Sequence, residues 1–205
     1  MGCESSGGFR ITPEWLREVN ACRAGRAFVA WPMTVRDAFA TALIAGHPDW
    51  CVWGTIRLLR LVPTRDQVQF ACRCARRVQH LWPNDGRDAC ENAVVLAERF
   101  AAGEHIARKD LWVAKERANE VARVAGYHDW GVGSAGLAPK CAAWAASAAI
   151  NAHAAWICVE DSADAAADSA DATGPAALKA AWLEIADDLQ RMMDAKESKS
   201  CCEEV

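Results

Sequence analysis

Apolar side chains recur along this chain at intervals of three and four, the spacing that lines one face of a helix. The pattern is clearest from Arg65 to about Leu81, where Val68, Ala71, Cys72, Ala75, Val78 and Leu81 fall in register. Stop and start signals frame such stretches. Thr12-Pro13-Glu14 supplies a capping hydroxyl, a proline at the first helical position and an acid in the first turn. Thr34 with Asp37, and Thr64 with Gln67, pair a cap with a third-position side chain able to reach back to it. Asp49 is placed to cap a segment through Arg60, which Pro63 ends. Pro83-Asn84-Asp85-Gly86 reads as a turn, the next helix stops at Gly103, and another covers roughly Ala107 to Ala125. Gly126 to Pro139 reads as a glycine-rich connection leading to a long alanine-rich helix, which Thr173-Gly174-Pro175 breaks and restarts. No stretch alternates with the period of two that marks a half-buried strand. The prediction is an all-α fold, a single bundle of about seven helices with a small N-terminal helical cap. Residues 1–48 form the cap, 49–195 the bundle and 196–205 a disordered tail.

Composition sharpens this picture in two ways. The 205 residues hold 23 basic and 27 acidic side chains, which excludes a strongly basic nucleic-acid binder on net charge. The charge is nonetheless uneven: residues 1–125 carry 18 basic and 14 acidic side chains, residues 126–205 carry 5 and 13. The ten cysteines are scattered through predicted helices, and the opening Met1-Gly2-Cys3-Glu4-Ser5-Ser6-Gly7-Gly8 lacks the apolar core of a secretory signal. The expectation is a cytoplasmic protein whose thiols are reduced and mostly serve as small buried hydrophobes. Cys72 and Cys74, with His80 and Cys90 downstream, lack the CxxC turn that lets two thiolates converge on zinc, so no metal and no cofactor is assigned.

Several spellings of known chemistry occur without their context. Gly131-Val132-Gly133-Ser134-Ala135-Gly136 matches GxGxxG, but a dinucleotide turn needs a strand to deliver the glycines to a helix start, and helix is predicted before it. His128, Asp129, Ser134 and Cys141 contain a nucleophile and a base, and an enzyme using them would need a pocket that joins them. Cys141 to Val159 is uncharged and long enough to span a bilayer, yet alanine carries too little transfer energy, so no membrane span is expected. The N-terminal Gly2-Cys3 spells an acylation signal and is read as a chance match. The ten tryptophans are read as core fillers for an alanine-rich bundle, with one or two left to anchor a protein partner. The candidate partner-binding site is an acidic row, Asp161, Asp164, Asp168 and Asp171, spaced three, four and three residues apart along one helix face. Such a row projects a negative field toward a basic partner and also serves simply to keep an alanine-rich helix solvated.

Leu61-Val62-Pro63-Thr64-Arg65-Asp66 with Phe70-Ala71-Cys72-Arg73-Cys74-Ala75-Arg76-Arg77 resembles the core helix of a bacterial family of immunity proteins from polymorphic-toxin systems. Arg87-Asp88-Ala89-Cys90-Glu91-Asn92-Ala93 and Leu96-Ala97-Glu98-Arg99-Phe100-Ala101-Ala102-Gly103 resemble its next helix, and the alanine and tryptophan stretch from Ala142 its long alanine-dominated segment. Ile11-Thr12-Pro13-Glu14-Trp15-Leu16 with Ala21-Cys22 resembles a leader of bacterial and phage proteins that share this body. The turn at Trp82 to Asp85 is shorter than the family pattern, and the tryptophan and cysteine load is higher. The resemblance implies an all-α protein that is not an enzyme and neutralises a toxin by stoichiometric binding, the acidic row suiting a basic toxin domain. It carries no catalytic residue across. The alternative is a helical scaffold protein of a phage or bacterium with no toxin partner.

Overall fold

The computed structural model describes residues 8–128, 131–132, 134–150 and 175–203. Its fold is all-α. Nine α-helices are found among the described residues: α1 (Pro13–Glu18), α2 (Arg23–Phe28), α3 (Val35–Ile44), α4 (Pro48–Leu59), α5 (Thr64–Arg77), α6 (Arg87–Ala101), α7 (Arg108–Val124), α8 (Ser134–Ile150) and α9 (Pro175–Glu203). Short 3₁₀ turns, Gln79–Leu81 and Asn84–Gly86, join α5 to α6. The chain divides into two compact units, Met1–Val62 with Ala186–Val205, and Pro63–Ile185. The boundary expected at residue 48 therefore falls inside the first unit, and α9 runs on through the stretch after Ala195 that reads as a tail in the sequence.

Local signals explain most helix ends. The Thr12 hydroxyl accepts the Trp15 amide at 3.1 Å, and the Thr34 hydroxyl accepts the Asp37 amide at 3.0 Å while donating to the Asp37 carboxylate at 2.7 Å. Two capping assignments shift by a residue or two. Pro63 precedes α5 in place of Thr64, and α4 starts at Pro48 after His47, which leaves Asp49 in the first turn, where its charge favours the helix dipole. Helix α2 has no hydroxyl cap; the Cys22 sulfur accepts the Gly25 amide at 3.3 Å instead.

The expected connection from Gly126 to Pro139 is replaced by a minimal antiparallel pair, β1 (Tyr127–His128) with β2 (Gly131–Val132), followed at once by α8. Ala135, Leu137 and Ala138 are strong helix formers, and they carry the helix through Pro139 at the loss of one amide bond to the Ala135 carbonyl.

In the second unit α8 packs against α5, α6 and α7. Its contact surface is nearly all alanine: Ala138, Ala142, Ala143, Ala145, Ala146, Ala148 and Ala149 are buried with Cys141. Helix α7 answers with Leu111, Ala114, Ala118 and Ala122, spaced three, four and four. Small side chains on both surfaces let helix backbones approach closely, and Phe70, Trp82 and Trp182 supply the bulk. The indole nitrogen of Trp82 donates to the Ala138 carbonyl at 3.0 Å. Arg76 ties α5 to α6, gripping Glu98 at 2.9 and 2.8 Å through two nitrogens and Glu91 at 2.6 Å.

The first unit is closed by its two chain-distant ends. Gln190 on α9 accepts the Val35 amide at 2.8 Å and donates to the Phe9 carbonyl at 2.9 Å and the Asp194 carboxylate at 2.8 Å. Asp194 in turn accepts the Phe9 amide at 2.8 Å, and Arg36 pairs with Asp187. Ile11 and Met33 form an antiparallel bridge between these anchor points. Replacing Gln190 by Ala removes the partner of the Val35 amide and of the Phe9 carbonyl, each costing about 1 kcal/mol or more when left unpaired, while Asp194 keeps the Phe9 amide. The expected result is a loss of about 2 kcal/mol in urea unfolding at neutral pH, and Gln190→Glu, which sets a carboxylate against Asp194 and the Phe9 carbonyl, should lose at least as much.

Candidate binding site

The first unit encloses an open cavity of about 380 Å³. Helix α4 forms one wall with Asp49, Trp50, Trp53 and Gly54, whose spacing of one, three and one places them on adjoining faces. Helix α3 contributes Ala38, Phe39 and Ala42, and Ile11 and Leu16 belong to the chain start and α1. The remaining side is Trp15 with α2 and its flanks, Ala21, Cys22, Gly25, Phe28 and Val29. The floor is apolar and buried, while Trp15, Phe28, Trp50 and Trp53 are half-buried around it. Helix α2 has only six residues and buries none of them, which leaves this side of the cavity open. On the opposite side Gly54 lets the backbone of α4 pack close to Phe39, since a Cβ there would lie 3.1 Å from the ring.

The rings hold one another in fixed orientations. Phe28 meets Trp50 edge to face at 5.0 Å, Phe9 meets Trp15 the same way at 5.9 Å, and His47 stacks on Trp50 at 4.2 Å with planes 7° apart. The Arg57 guanidinium lies 5.3 Å from the centre of the Trp53 ring and is not part of the lining. Among the lining residues Asp49 is the charged one; its side chain is 72% exposed and lies 3.8 Å from the His47 Nδ1. The Cys22 thiol lines the cavity and is exposed.

The sequence candidates are distributed otherwise. Asp161, Asp164, Asp168 and Asp171 lie outside the described residues, as do Asp129, Trp130 and Trp156. His128 and Cys141 belong to the second unit, and Cys141 is buried there. The antiparallel pairing of Tyr127 with Val132 and His128 with Gly131 is unlike the parallel βαβ setting that a dinucleotide turn requires. Core filling holds for Trp82 and Trp182, but Trp31 and Trp112 are 65% and 54% exposed, and three other indoles surround the cavity. Among the described residues, no group of three His, Cys, Asp or Glu side chains is placed to hold a metal, and no helix is long and apolar enough to cross a membrane.

Five of the described thiols (Cys51, Cys72, Cys74, Cys90 and Cys141) are buried. Burial pushes Cys51 and Cys90 up to about 12 and moves Cys72 in the same direction, where the nearby Glu98 charge adds to it. A thiol with a raised pKa in the folded chain holds its proton more tightly there. Stability is therefore untouched below the unfolded thiol value of about 8.5 and falls as pH rises from there toward 12. Urea midpoints measured from pH 7 to 10 should be level at first and then decline above about pH 8.5, and Cys51→Ala with Cys90→Ala should flatten that decline. Comparison with known proteins finds no matching family model, no similar curated protein and no similar solved structure.

Proposed function

We propose that this protein acts by non-covalent recognition, without catalysis, and that the aromatic cavity of the first unit is its recognition site. The cavity itself carries the reading. Leaving so many large rings around an unfilled, accessible space forgoes burial energy of about 25 cal/mol for each Å² of apolar surface, a cost that an occupant recovers. Support also comes from the buried thiols Cys51 and Cys90, whose burial and raised pKa make them poor nucleophiles.

The resemblance to immunity proteins adds, apart from the cavity, a surface for a protein target captured stoichiometrically in the cytoplasm. Asp161, Asp164, Asp168 and Asp171 are the proposed contact for a basic target, such as a toxin domain. Replacing all four by Asn should slow association with such a partner by about tenfold and flatten its dependence on salt, read by stopped-flow mixing. Unchanged rates would remove the acidic row from the proposal.

The cavity is tested with a neutral fluorescent probe, phenyl-naphthylamine, whose emission rises in apolar surroundings. The wild-type chain should bind it saturably. Gly25→Leu should weaken binding at least about tenfold by filling the space, because a Cβ at Gly25 meets only the Cys22 sulfur, at 3.6 Å, and the helix gains a better former. Circular dichroism checks that this variant is folded. Absence of saturable binding to the wild type would end the recognition reading for this cavity.

A further inference from the structure

We infer that the cavity of the first unit is a small-molecule site for an organic ammonium ion carried on an apolar body. The inference rests on the reading of this cavity as an open recognition site and adds the chemical class of its occupant. The volume, about 380 Å³, lies at the lower end of the range of about 300–1,000 Å³ usual for small-ligand pockets and exceeds what one inserted side chain fills.

Three observations set the sign of the charge. The walls include the indoles of Trp15, Trp50 and Trp53, whose faces are the strongest aromatic acceptors for a cation. One of these rings already seats a cation from this chain, since the Arg57 guanidinium sits 5.3 Å from the centre of Trp53. Among the described residues, the charged one that lines the cavity is a carboxylate, Asp49, and no described Lys or Arg side chain lines it. An anionic guest would meet the negative faces of the rings and the Asp49 charge together, with nothing in the lining to neutralise it.

The magnitudes divide the work between these groups. Asp49 is 72% exposed, so solvent and salt screen it, and its share is small, about threefold in affinity. The rings shield the guest from part of the solvent and supply most of the preference, about tenfold between a cation and a neutral molecule of the same shape. Trp53 is already partly engaged by Arg57, and one face of Trp50 is covered by His47 at 4.2 Å, which leaves Trp15 and the other face of Trp50 as the acceptors.

The experiment uses an isosteric pair, trimethylanilinium and tert-butylbenzene, which differ by a charged nitrogen in place of a carbon. Each competes with phenyl-naphthylamine on the full chain, and protection of Cys22 from alkylation, followed by peptide mass spectrometry, gives an independent readout at the cavity wall. The cation is expected to bind about tenfold more tightly than its neutral isostere. Asp49→Asn should lower that ratio about threefold and reduce its salt dependence, and Gly25→Leu should abolish competition by both. Equal or tighter binding of the neutral compound, or no competition by the cation, overturns the ammonium proposal while leaving the cavity as a recognition site. Failure of phenyl-naphthylamine itself to bind overturns both.

Discussion

The side chain of Gln190 is the constraint on which the first unit depends. Its amide satisfies the first free amide of α3 at Val35 and the carbonyl of Phe9, groups that belong to strands of chain far away in sequence. Between these two anchors runs the Ile11–Met33 bridge, which fixes where the chain start passes α3. Ile11 and the residues of α3 then become one side of the cavity. A polar side chain that satisfies several backbone groups at once has no slack: its partners are positioned together or left unpaired together. The cavity is thus held by hydrogen bonds at its back and by packed rings at its front.

The second unit solves its packing differently. Alanine on α8 and α7 brings backbones together without the interlocking of long side chains, so stability there comes from many small contacts and a few large inserts. Arg76 adds direction to that packing. A guanidinium bonded to Glu98 through two nitrogens and to Glu91 through a third favours one rotation of α6 against α5, and the two carboxylates raise the guanidinium's affinity for its proton.

The helices were legible in the chain because their signals are local. A threonine cap needs only its own third neighbour, as Thr12 and Thr34 show, and the apolar spacing from Val68 to Ala75 shows directly which face of α5 is buried. The start of α8 was not legible, since glycine-rich spelling around Gly131 and Pro139 argues for a loop while the alanines beside them favour helix, and the helix prevails. The cavity was invisible for a different reason. Tryptophan count says that large rings must be placed somewhere, but whether a ring fills a core, as Trp182 does, or borders a space, as Trp50 does, depends on what lies across from it. The signal available was the grouping of Asp49, Trp50 and Trp53 on adjoining faces of one short helix, which reads as a candidate surface only once α3 is known to lie alongside. The Gln190 contacts, at separations of 155 and 181 residues, leave no trace in local pattern.

Gly54 places a bare backbone against the edge of Phe39. The approach of α4 to α3 beside the cavity therefore depends on a single missing methyl group. Alanine at this position would be a better helix former yet would press on a ring that lines the cavity, so a gain in local helix stability is coupled to a displacement of the wall.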